Sequence, residues 1–435
     1  MNSLTQITGA LVIALGLLIA LGRWWKVPAF FGLLAAALCF GWLTGQHTTA
    51  ILEAAQRGFG AMLQQIGLLV AVGCCLGVML EKTRAMETIS HQLLGWFGTR
   101  YTVLAMAVMG AVVGIPVFCD SGFIILSRLI PSIASQATVA PAQLTLALAS
   151  GLYTSHTLIP PTPGPLASAA ALGLTSQLGV VVAVAALTSV PTIAVAYAGA
   201  RWLGKDVQFM HVPDASKSTV GLPSGLAWVP LLTPIVLIGA GTLAPWPAAK
   251  IWGHPVVALL AGWLLSFFLL PPSEKSHWPS WHADALKDAG VILLVTGAGG
   301  AFGMVIKNSG IDGALATFIS EHPTHGAWFL VVAFTIAAVM KTAQGSTTSA
   351  IVISSAMLAP LAGSAGIGAP AQLAALMVAI GGGSMAVSHA NDSYFWVVSQ
   401  FGGIDPNAAA RSFTVLTLLL GLTTLLTSIV LFLIL

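Results

Sequence analysis

The sequence predicts an all-α polytopic membrane protein, and three observations lead to this prediction. Only 7% of the 435 residues are charged, whereas a soluble globular domain averages roughly 25%. Hydrophobic residues make up 57% of the chain, and its mean hydropathy is +0.93. Many apolar runs approach the roughly 20 residues that a helix needs to cross the hydrocarbon, and none shows the alternating pattern of a membrane barrel.

The composition also excludes several classes of function. So few charges cannot cover the surface of a water-soluble fold, which excludes a cytosolic enzyme and a disordered chain. The formal net charge of +3 is too small and too scattered for nucleic-acid binding, so we expect no nucleic-acid partner. The four cysteines lie in apolar stretches without metal-ligand spacing, and we predict no metal site and no cofactor. They are Cys39, Cys74, Cys75 and Cys119.

Twelve apolar runs define the expected helices. They cover residues 7–21, 27–43, 60–80, 102–117, 144–152, 179–198, 226–243, 255–270, 289–306, 327–340, 373–380 and 413–435. The runs 144–152 and 373–380 are too short to cross a bilayer, and they extend into sequence rich in Gly, Pro, Ser and Thr. This combination predicts interrupted helices. The first run lacks a basic segment before it and a small-residue cleavage site after it, so we expect a retained helix.

The distribution of basic residues predicts a periplasmic N-terminus, because Lys and Arg concentrate in cytoplasmic loops. In this orientation ten basic residues face the cytoplasm, three face the outside and three are unassigned, and the opposite orientation reverses the bias. The ten are Arg23, Lys26, Lys82, Arg84, Arg100, Arg201, Lys205, Lys217, Lys275 and Lys287. The three outside are Arg57, Lys250 and Lys307, and the unassigned ones are Arg128, Lys341 and Arg411.

Three ordered matches indicate an internal duplication. GVMLEKT (77–83) resembles GMVIKNS (303–309), PAQL occurs at 141–144 and again at 370–373, and Ser-His follows at 155–156 and 388–389. With an odd number of crossings per half, the halves face opposite ways in the membrane, which is a plan common among secondary transporters. We therefore predict a first inverted repeat at 1–205, a central cytoplasmic loop at 206–224 and a second inverted repeat at 225–435. A structural duplication without a shared site is the alternative.

Four polar interruptions fall within the apolar pattern, at 114–122, 155–165, 341–349 and 381–396. Broken backbone inside a bilayer must line a cavity or pack against protein, because unpaired N–H and C=O groups are costly in lipid. A broken helix also presents a half-helix N-terminus, which attracts anions. Together with nearby hydroxyl groups, these features predict a site for a small hydroxylated anion. The candidate substrate-binding residues are Asp120, Ser121, Gly122, His156, Thr157, Thr162, Gly345, Ser346, Thr347, Thr348, His389, Asn391 and Asp392.

The ionisable residues of these interruptions are the candidates for proton coupling, because charges in membrane segments are costly and usually functional. Asp120, His389 and Asp392 are the three candidates. Asp392 follows His389 by three residues, so the two share a face if the segment is helical. The alternatives are a helix cap for Asp120 and core hydrogen bonding for the histidines. Lys341 attracts the anion, or it pairs with a carboxylate or snorkels.

At these interruptions the sequence resembles the gluconate permease family of proton symporters, within the wider ion transporter superfamily. The strings that carry the resemblance are GIPVFCDSGF (114–123), SHTLIPPTPGP (155–165), KTAQGSTTSA (341–350) and SHANDSYFW (388–396). The second and fourth strings are the most specific. Together with the length and the helix pattern, the resemblance covers nearly the whole chain.

The resemblance implies proton-driven import of a small anionic substrate, a sugar acid such as gluconate, across the bacterial inner membrane. It also implies a homodimer in which each protomer has a scaffold and a mobile transport part with two re-entrant hairpins. Family members also carry D-serine and other small hydroxy-carboxylates. Cys119 and the pair Ser393-Tyr394 depart from the smaller or more apolar residues expected there, which leaves a non-gluconate sugar acid open.

Three alternatives remain at this point. A sodium-coupled carboxylate transporter is the nearest. An intramembrane enzyme would use His156, His389 and Asp392 as metal ligands or a catalytic dyad. The chain has no HExxH, no GxSxG and no Cys/His cluster, so we expect a non-enzyme. A channel would require the interruptions to form one continuous pore.

Overall fold

The computed structural model of the chain describes residues 4–127, 129–137, 139–205, 207, 225–243, 247–310, 326–389 and 392–435, and within them all regular structure is helical. The first half contains α1 (Leu4–Arg23), α2 (Ala29–Leu43), α3 (Thr48–Lys82), α4 (Ala85–Phe97), α5 (Thr102–Val113), α6 (Cys119–Ser127), α7 (Ile130–Ala137), α8 (Pro141–Leu158), α9 (Pro163–Ala171) and α10 (Leu178–Leu203). The predicted central loop lies outside the described residues, except for Val207.

The second half contributes nine further α-helices to the described part of the chain. They are α11 (Trp228–Leu243), α12 (Pro247–Trp252), α13 (Pro255–Ser266), α14 (Trp278–Lys307), α15 (Gly326–Gln344), α16 (Thr347–Ala362), α17 (Pro370–Met385), α18 (Ser393–Phe401) and α19 (Pro406–Ile434). The predicted all-α class is therefore confirmed.

Few of these helices are long enough to cross a membrane unaided. By length and composition, three described segments qualify, namely Thr175–Leu203, Trp278–Lys307 and Pro406–Ile434. A fourth span results if α3, which bends by 45° near its middle, is counted as one helix. Eight further apolar helices are shorter, at 10–17 residues, as expected for a chain with interrupted helices. The run predicted at 102–117 is shorter than expected, because α5 ends at Val113, before Pro116.

The helices of the second half follow the order of those in the first. In each half a helix that begins at the PAQL string is followed by a break, a nine-residue helix and a long helix. These series are α8, α9 and α10 in the first half, and α17, α18 and α19 in the second. The PAQL match therefore marks the start of comparable helices, whereas Ser155-His156 lie within α8 and Ser388-His389 lie beyond the end of α17.

Each half also contains a close helix–helix contact at a glycine. A Cβ atom on Gly151 of α8 would lie 2.0 Å from the carbonyl oxygen of Ala107 on α5. A Cβ atom on Gly383 of α17 would lie 2.2 Å from the carbonyl oxygen of Phe334 on α15. Each helix pair thus approaches so closely that only glycine fits, as is common where helices pack in membranes.

All four predicted interruptions contain a helix break, but each break is shorter than predicted. The breaks cover residues 114–118, 159–162 and 345–346, and a fourth lies between α17 and α18. We call it the 386–392 break, although residues 390 and 391 lie outside the described part of the chain. As a consequence, His156, Thr157 and Lys341 are helical rather than unwound. The Gly381–Gly383 run is also helical, because it serves close packing: a Cβ atom on Gly381 would lie 2.6 Å from the carbonyl oxygen of Thr157.

Local chemistry explains where the breaks fall. Gly345 ends α15 in the left-handed conformation, with φ of 73°, and its N–H donates to the carbonyl of Lys341 at 2.8 Å. This is a common way for a glycine to end a helix. Pro160 and Pro161 lie in the 159–162 break, where their missing N–H groups prevent α8 from continuing. Val387 has φ of 55° in the 386–392 break, a conformation that β-branched residues rarely adopt.

The broken helices lie at the centre of the molecule. Side chains from α5, α8, α10, α15, α17 and α19 form one large buried cluster that surrounds the 159–162 and 386–392 breaks. A second cluster joins α1, α2, α3 and α14 to α16. The breaks therefore lie where the two halves of the chain meet, and both α8 and α17 are buried along most of their length.

Candidate substrate-binding site

A buried ion pair lies between two of the breaks. The ammonium nitrogen Nζ of Lys341 is 2.6 Å from Oδ2 of Asp392, and the side chains are 1% and 4% exposed. Lys341 belongs to the last turn of α15, and Asp392 is the N-cap residue of α18. A buried charge pair is costly to desolvate, so it requires good geometry and additional hydrogen bonds.

The carboxylate of Asp392 receives these additional hydrogen bonds. Ser388 Oγ donates to Oδ2, and the backbone N–H of Tyr394 donates to Oδ1 at 3.1 Å. The second bond is the usual N-cap interaction, in which an Asp side chain accepts from an N–H of the first helical turn. Asp392 therefore caps α18 and pairs with Lys341 at the same time.

The ammonium of Lys341 is bound by the turn that follows it. Nζ donates to Thr347 Oγ1 at 2.9 Å and to the carbonyl oxygen of Gly345 at 3.4 Å. Tyr153 of α8 shares a 2.7 Å hydrogen bond with Thr347 Oγ1. Its hydroxyl also donates to Asp392 Oδ2 at 3.5 Å, and its ring lies 5.7 Å from Nζ. Tyr153 thus links the first half of the chain to both charges in the second half.

Helix α19 satisfies the unwound backbone beside the ion pair. The N–H of Ser388 donates to Thr417 Oγ1 at 3.0 Å, and the carbonyl of Ser388 accepts from Thr414 Oγ1. Backbone groups of a broken helix must find such partners when water is excluded. The two threonines therefore hold Ser388 where its hydroxyl reaches Asp392.

Asp120 lies in the first turn of α6, close enough to Lys341 and Asp392 to interact with both electrostatically. The Cys119 thiol donates to Asp120 Oδ2 at 3.9 Å, while Oδ1 is buried and has no hydrogen-bond partner among the described residues. A carboxylate in the first turn is favoured by the helix dipole. Asp120 is the second residue of α6 and not its N-cap residue. This position differs from the helix cap that the sequence offered as an alternative.

His156 is buried on α8, 4% exposed, and interacts electrostatically with Lys341 and Asp392. Its ring centre lies 5.8 Å from that of Phe118, and its Nδ1 atom has no hydrogen-bond partner among the described residues. The alternative for this histidine was a core residue whose ring nitrogens are hydrogen-bonded, and the unpaired Nδ1 atom does not fit that alternative.

Several predicted hydroxyl groups are already used within the fold. Thr157 Oγ1 donates to the carbonyl of Tyr153 at 2.9 Å, and Thr162 Oγ1 donates to the carbonyl of Ile159 at 2.7 Å. Ser346 is the N-cap of α16, where its Oγ accepts from the N–H of Ser349 at 3.3 Å. These residues shape the breaks, and among the predicted hydroxyl groups whose side chains the structure describes, Thr347 alone contacts the ion pair directly.

The remaining predicted residues are placed as follows. Ser121 and Gly122 belong to α6, and Gly122 packs closely on Leu152 of α8. Thr348 follows Thr347 in α16 and is partly exposed. Asn391 lies outside the described residues. His389 is half-buried in the 386–392 break, where its carbonyl accepts from the N–H of Asp392 at 2.7 Å. His389 and Asp392 are both non-helical, so the condition under which the two would share a helix face is not met at these residues.

Three residues of the site were missed by the sequence reasoning, namely Tyr153, Ser388 and Tyr394. The Tyr394 hydroxyl donates to the carbonyl of Ala149 at 2.9 Å, which joins α18 to α8. A tyrosine in an apolar helix looks like a core residue in the sequence, although its hydroxyl needs a partner when buried. In the sequence, this need of a buried hydroxyl for a hydrogen-bond partner was the feature that could have identified both tyrosines.

Two of the cavities between the described residues lie beside helices that flank the breaks. One, of about 30 Å³, lies beside the 114–118 and 159–162 breaks and is lined by Gly77, Pro116, Phe118 and Thr162 among others. Its volume suits one water molecule rather than a sugar acid. A larger cavity of about 300 Å³ between α3, α9, α14 and α16 has Lys307 as its only charged lining residue and contains none of the predicted site residues. Neither cavity is lined by Lys341 or Asp392, whose side chains are 1% and 4% exposed, so the described residues enclose the ion pair.

Together the fold and the cluster define a membrane transporter, in which apolar helices break around a buried charge pair. In agreement with this class, residues 6–434 match the family model described as GntP family permease. The chain belongs to the GntP permease family. The resemblance seen in the sequence is thereby confirmed, and the chain is a multi-pass membrane protein.

Known proteins similar to this chain agree with that class. It is 32% identical to an uncharacterized permease of Haemophilus influenzae, over 91% of this chain and 86% of that protein. It is 30% identical to a gluconate permease of Zymomonas mobilis, over 90% of each. Both are permeases rather than enzymes. The crystal structure of the Alcanivorax borkumensis YdaH transporter has a similar fold, with a TM-score of 0.66 and 15% identity over 93% of this chain and 96% of that one.

Proposed function

We propose that this permease imports gluconate or a related sugar acid across the bacterial inner membrane by proton symport. The observation that carries the proposal is the buried Lys341–Asp392 ion pair, which lies among hydroxyl groups at the breaks of a GntP family chain. A buried ammonium surrounded by hydroxyl groups suits a small hydroxylated carboxylate. The similarity to a gluconate permease supports the choice of gluconate within this class.

The helix termini around the ion pair support an anionic substrate. α6, α16 and α18 all begin within the 114–118, 345–346 and 386–392 breaks, and the first N–H groups of a helix together with its dipole attract anions. Asp392 already occupies the N-terminus of α18, and Ser346 that of α16. These termini add partial positive charge around Lys341, where we place the substrate.

Proton coupling rests on the charges of the same cluster. Asp120 and Asp392 are two carboxylates near one lysine, and His389 adds a third titratable group beside Asp392. An anion that enters this enclosed site adds a negative charge, and a proton bound by one of these groups offsets it. We keep Asp120, His389 and Asp392 as the proton-binding candidates of the proposal.

The proposal includes an arrangement in the membrane. Residues 1–205 and 225–435 form two inverted repeats, the N-terminus is periplasmic, and the 206–224 loop is cytoplasmic. The helices around the breaks form the mobile transport part with two re-entrant hairpins, and the remaining helices form the scaffold of a homodimer. The repeated helix order and the matched Gly151 and Gly383 contacts support the two-repeat part of this arrangement.

Transport by the purified protein in liposomes tests the proposal. Radiolabelled gluconate is supplied outside with an inward proton gradient, in sodium-free buffer. We expect gluconate to accumulate, a protonophore to abolish the accumulation, and unlabelled related sugar acids to compete better than D-serine. Uptake that requires sodium instead would contradict proton coupling, and competition by D-serine alone would replace the sugar acid as the substrate.

A further inference from the structure

We infer that Lys341 receives the carboxylate of the substrate, and that Asp392 is an internal competitor which releases this position when it binds the coupling proton. The inference rests on the proposed function and deepens it, because it selects one proton-binding residue and one substrate-binding residue. It starts from the contacts of a single nitrogen atom, Lys341 Nζ.

All three donors of the Lys341 ammonium have an acceptor within reach. Asp392 Oδ2 lies at 2.6 Å, Thr347 Oγ1 at 2.9 Å and the Gly345 carbonyl at 3.4 Å. An ammonium has three N–H groups and no more. A substrate carboxylate therefore gains a hydrogen bond from Lys341 only if it displaces one of these acceptors.

Asp392 is the acceptor that a substrate can displace. Gly345 and Thr347 follow Lys341 within six residues, and the turn between α15 and α16 fixes them beside it. Thr347 is further held by its hydrogen bond to Tyr153. Asp392 comes from another break, 386–392, and it is also the acceptor with the same chemistry as the substrate, a carboxylate.

Charge balance makes the exchange depend on a proton. If a substrate anion enters while Asp392 is ionised, two carboxylates compete for one ammonium in an enclosed site, and one negative charge stays buried without a partner. Such charges are strongly disfavoured. If Asp392 Oδ2 first binds a proton, the Nζ–H bond to Oδ2 is exchanged for one to the substrate carboxylate, and the number of charges at Lys341 is unchanged.

The neighbours of Asp392 can hold it in the protonated form. Its new O–H group finds an acceptor in the Ser388 or the Tyr153 hydroxyl, which both donate to Oδ2 in the ionised form and can reverse their direction. Oδ1 keeps the N–H of Tyr394, so α18 keeps its cap. Release of the substrate and of the proton on the other side of the membrane restores the Lys341–Asp392 pair.

Other titratable groups also face this pair, from every element that packs against it. They are Cys119 and Asp120 of α6, Tyr153 and His156 of α8, and Tyr394 of α18. His389 lies nearby in the chain, in the break itself. Of all these titratable groups, only Asp392 forms an ion pair with Lys341 Nζ among the described contacts. Asp120 adds negative charge nearby, so it changes how readily the cluster accepts an anion without competing for the ammonium directly.

Asp392→Asn is the decisive variant, because asparagine resembles a protonated aspartate and remains a good N-cap. Gluconate binding to the purified variant is measured as a function of pH, together with two transport modes in liposomes, proton-driven accumulation and gluconate–gluconate exchange. We expect binding to lose its pH dependence, accumulation to disappear and exchange to persist. Accumulation that still follows the proton gradient would overturn the inference.

Lys341→Gln tests the other half of the exchange. We expect gluconate binding to weaken by about a hundredfold or more, as for the loss of one partner of a buried charge pair, and exchange to be lost. Wild-type affinity in this variant would overturn the inference. The double variant Lys341→Gln/Asp392→Asn removes both charges of the ion pair, so neither is left without the other, and it separates misfolding from loss of binding. We expect it to elute as folded protein and not to bind gluconate.

Matched controls come from the exposed face of α14. Asp284→Asn and Lys287→Gln make the same two chemical changes at exposed positions, and we expect wild-type accumulation in both. Asp120→Asn is the comparison inside the cluster, and we expect its accumulation to remain driven by protons but with a displaced pH profile. If Asp120→Asn lost proton coupling while Asp392→Asn kept it, Asp120 and not Asp392 would be the residue that binds the coupling proton. Absence of gluconate binding by the wild type would instead refute the proposed substrate.

Discussion

Asp392 and Thr162 occupy the same place in the two halves of the chain, because each is the N-cap residue of the nine-residue helix that follows a break. Only Asp392 is charged, and only Asp392 accepts a hydrogen bond from its helix through its side chain. The breaks are thus repeated while the charges are not. Two comparable breaks therefore contain one charged N-cap residue, and under the proposed function a single ion pair serves a single anion.

Thr347 is the hydroxyl that connects Lys341 to Tyr153, so its removal tests how the ammonium is positioned. In Thr347→Val, the Lys341 and Tyr153 groups lose a shared partner, and a buried group left without one costs about 1–3 kcal/mol. We expect weaker gluconate binding and a lower melting temperature in detergent. Thr347→Ser keeps the hydroxyl and is the control. Equal binding by the Val and Ser variants would show that this hydroxyl has no part in the site.

The two buried tyrosines are expected to behave differently, although each makes a contact between the halves. Tyr153→Phe loses hydrogen bonds to Thr347 and Asp392, so we expect a changed pH profile of uptake. Tyr394→Phe loses a bond to the Ala149 carbonyl, so we expect a loss of stability of about 1 kcal/mol with an unchanged pH profile. Parallel measurements of melting and of uptake against pH make the comparison. Identical pH profiles in the two variants would contradict the placement of Tyr153 at the charge pair.

Thr417 is expected to stabilise the 386–392 break from outside. Thr417→Val leaves the Ser388 N–H without its acceptor, which costs about 1–3 kcal/mol for a buried group. Ser388 then positions its hydroxyl at Asp392 less well, so we expect both a lower melting temperature and weaker binding. Thr417→Ser restores the acceptor and is expected to restore both properties. If only stability changes, the break tolerates displacement of Ser388 without consequence for the site.

The charged residues of the site could be predicted from the sequence, and the neutral ones could not. Asp120, Lys341 and Asp392 stand out because a charge in an apolar run is rare, whereas Tyr153 has the appearance of a core aromatic. The breaks were predicted at the correct places but too long. Gly and Ser were taken to unwind the chain at 381–385, but there the small residues remain helical, because they allow α17 to approach α8 and α15. Whether small residues unwind a helix or allow it to pack closely depends on contacts between distant segments, and a local sequence pattern does not contain those contacts.

The paired glycines offer a test of the repeated packing. Gly151→Ala and Gly383→Ala place a methyl group within 2.0 and 2.2 Å of a backbone carbonyl oxygen on the facing helix, a contact that cannot be relieved by turning a side chain. Overpacking of this kind costs about 1–3 kcal/mol or more, so we expect both variants to melt at lower temperature, by similar amounts. Gly60→Ala on α3 is the control, because no atom lies within 4 Å of the added methyl group and alanine favours a helix over glycine by about 1 kcal/mol. A large loss in one half only would show that the two contacts are not equivalent, and the helix pairs α5–α8 and α15–α17 would then have to differ in how firmly they hold their breaks.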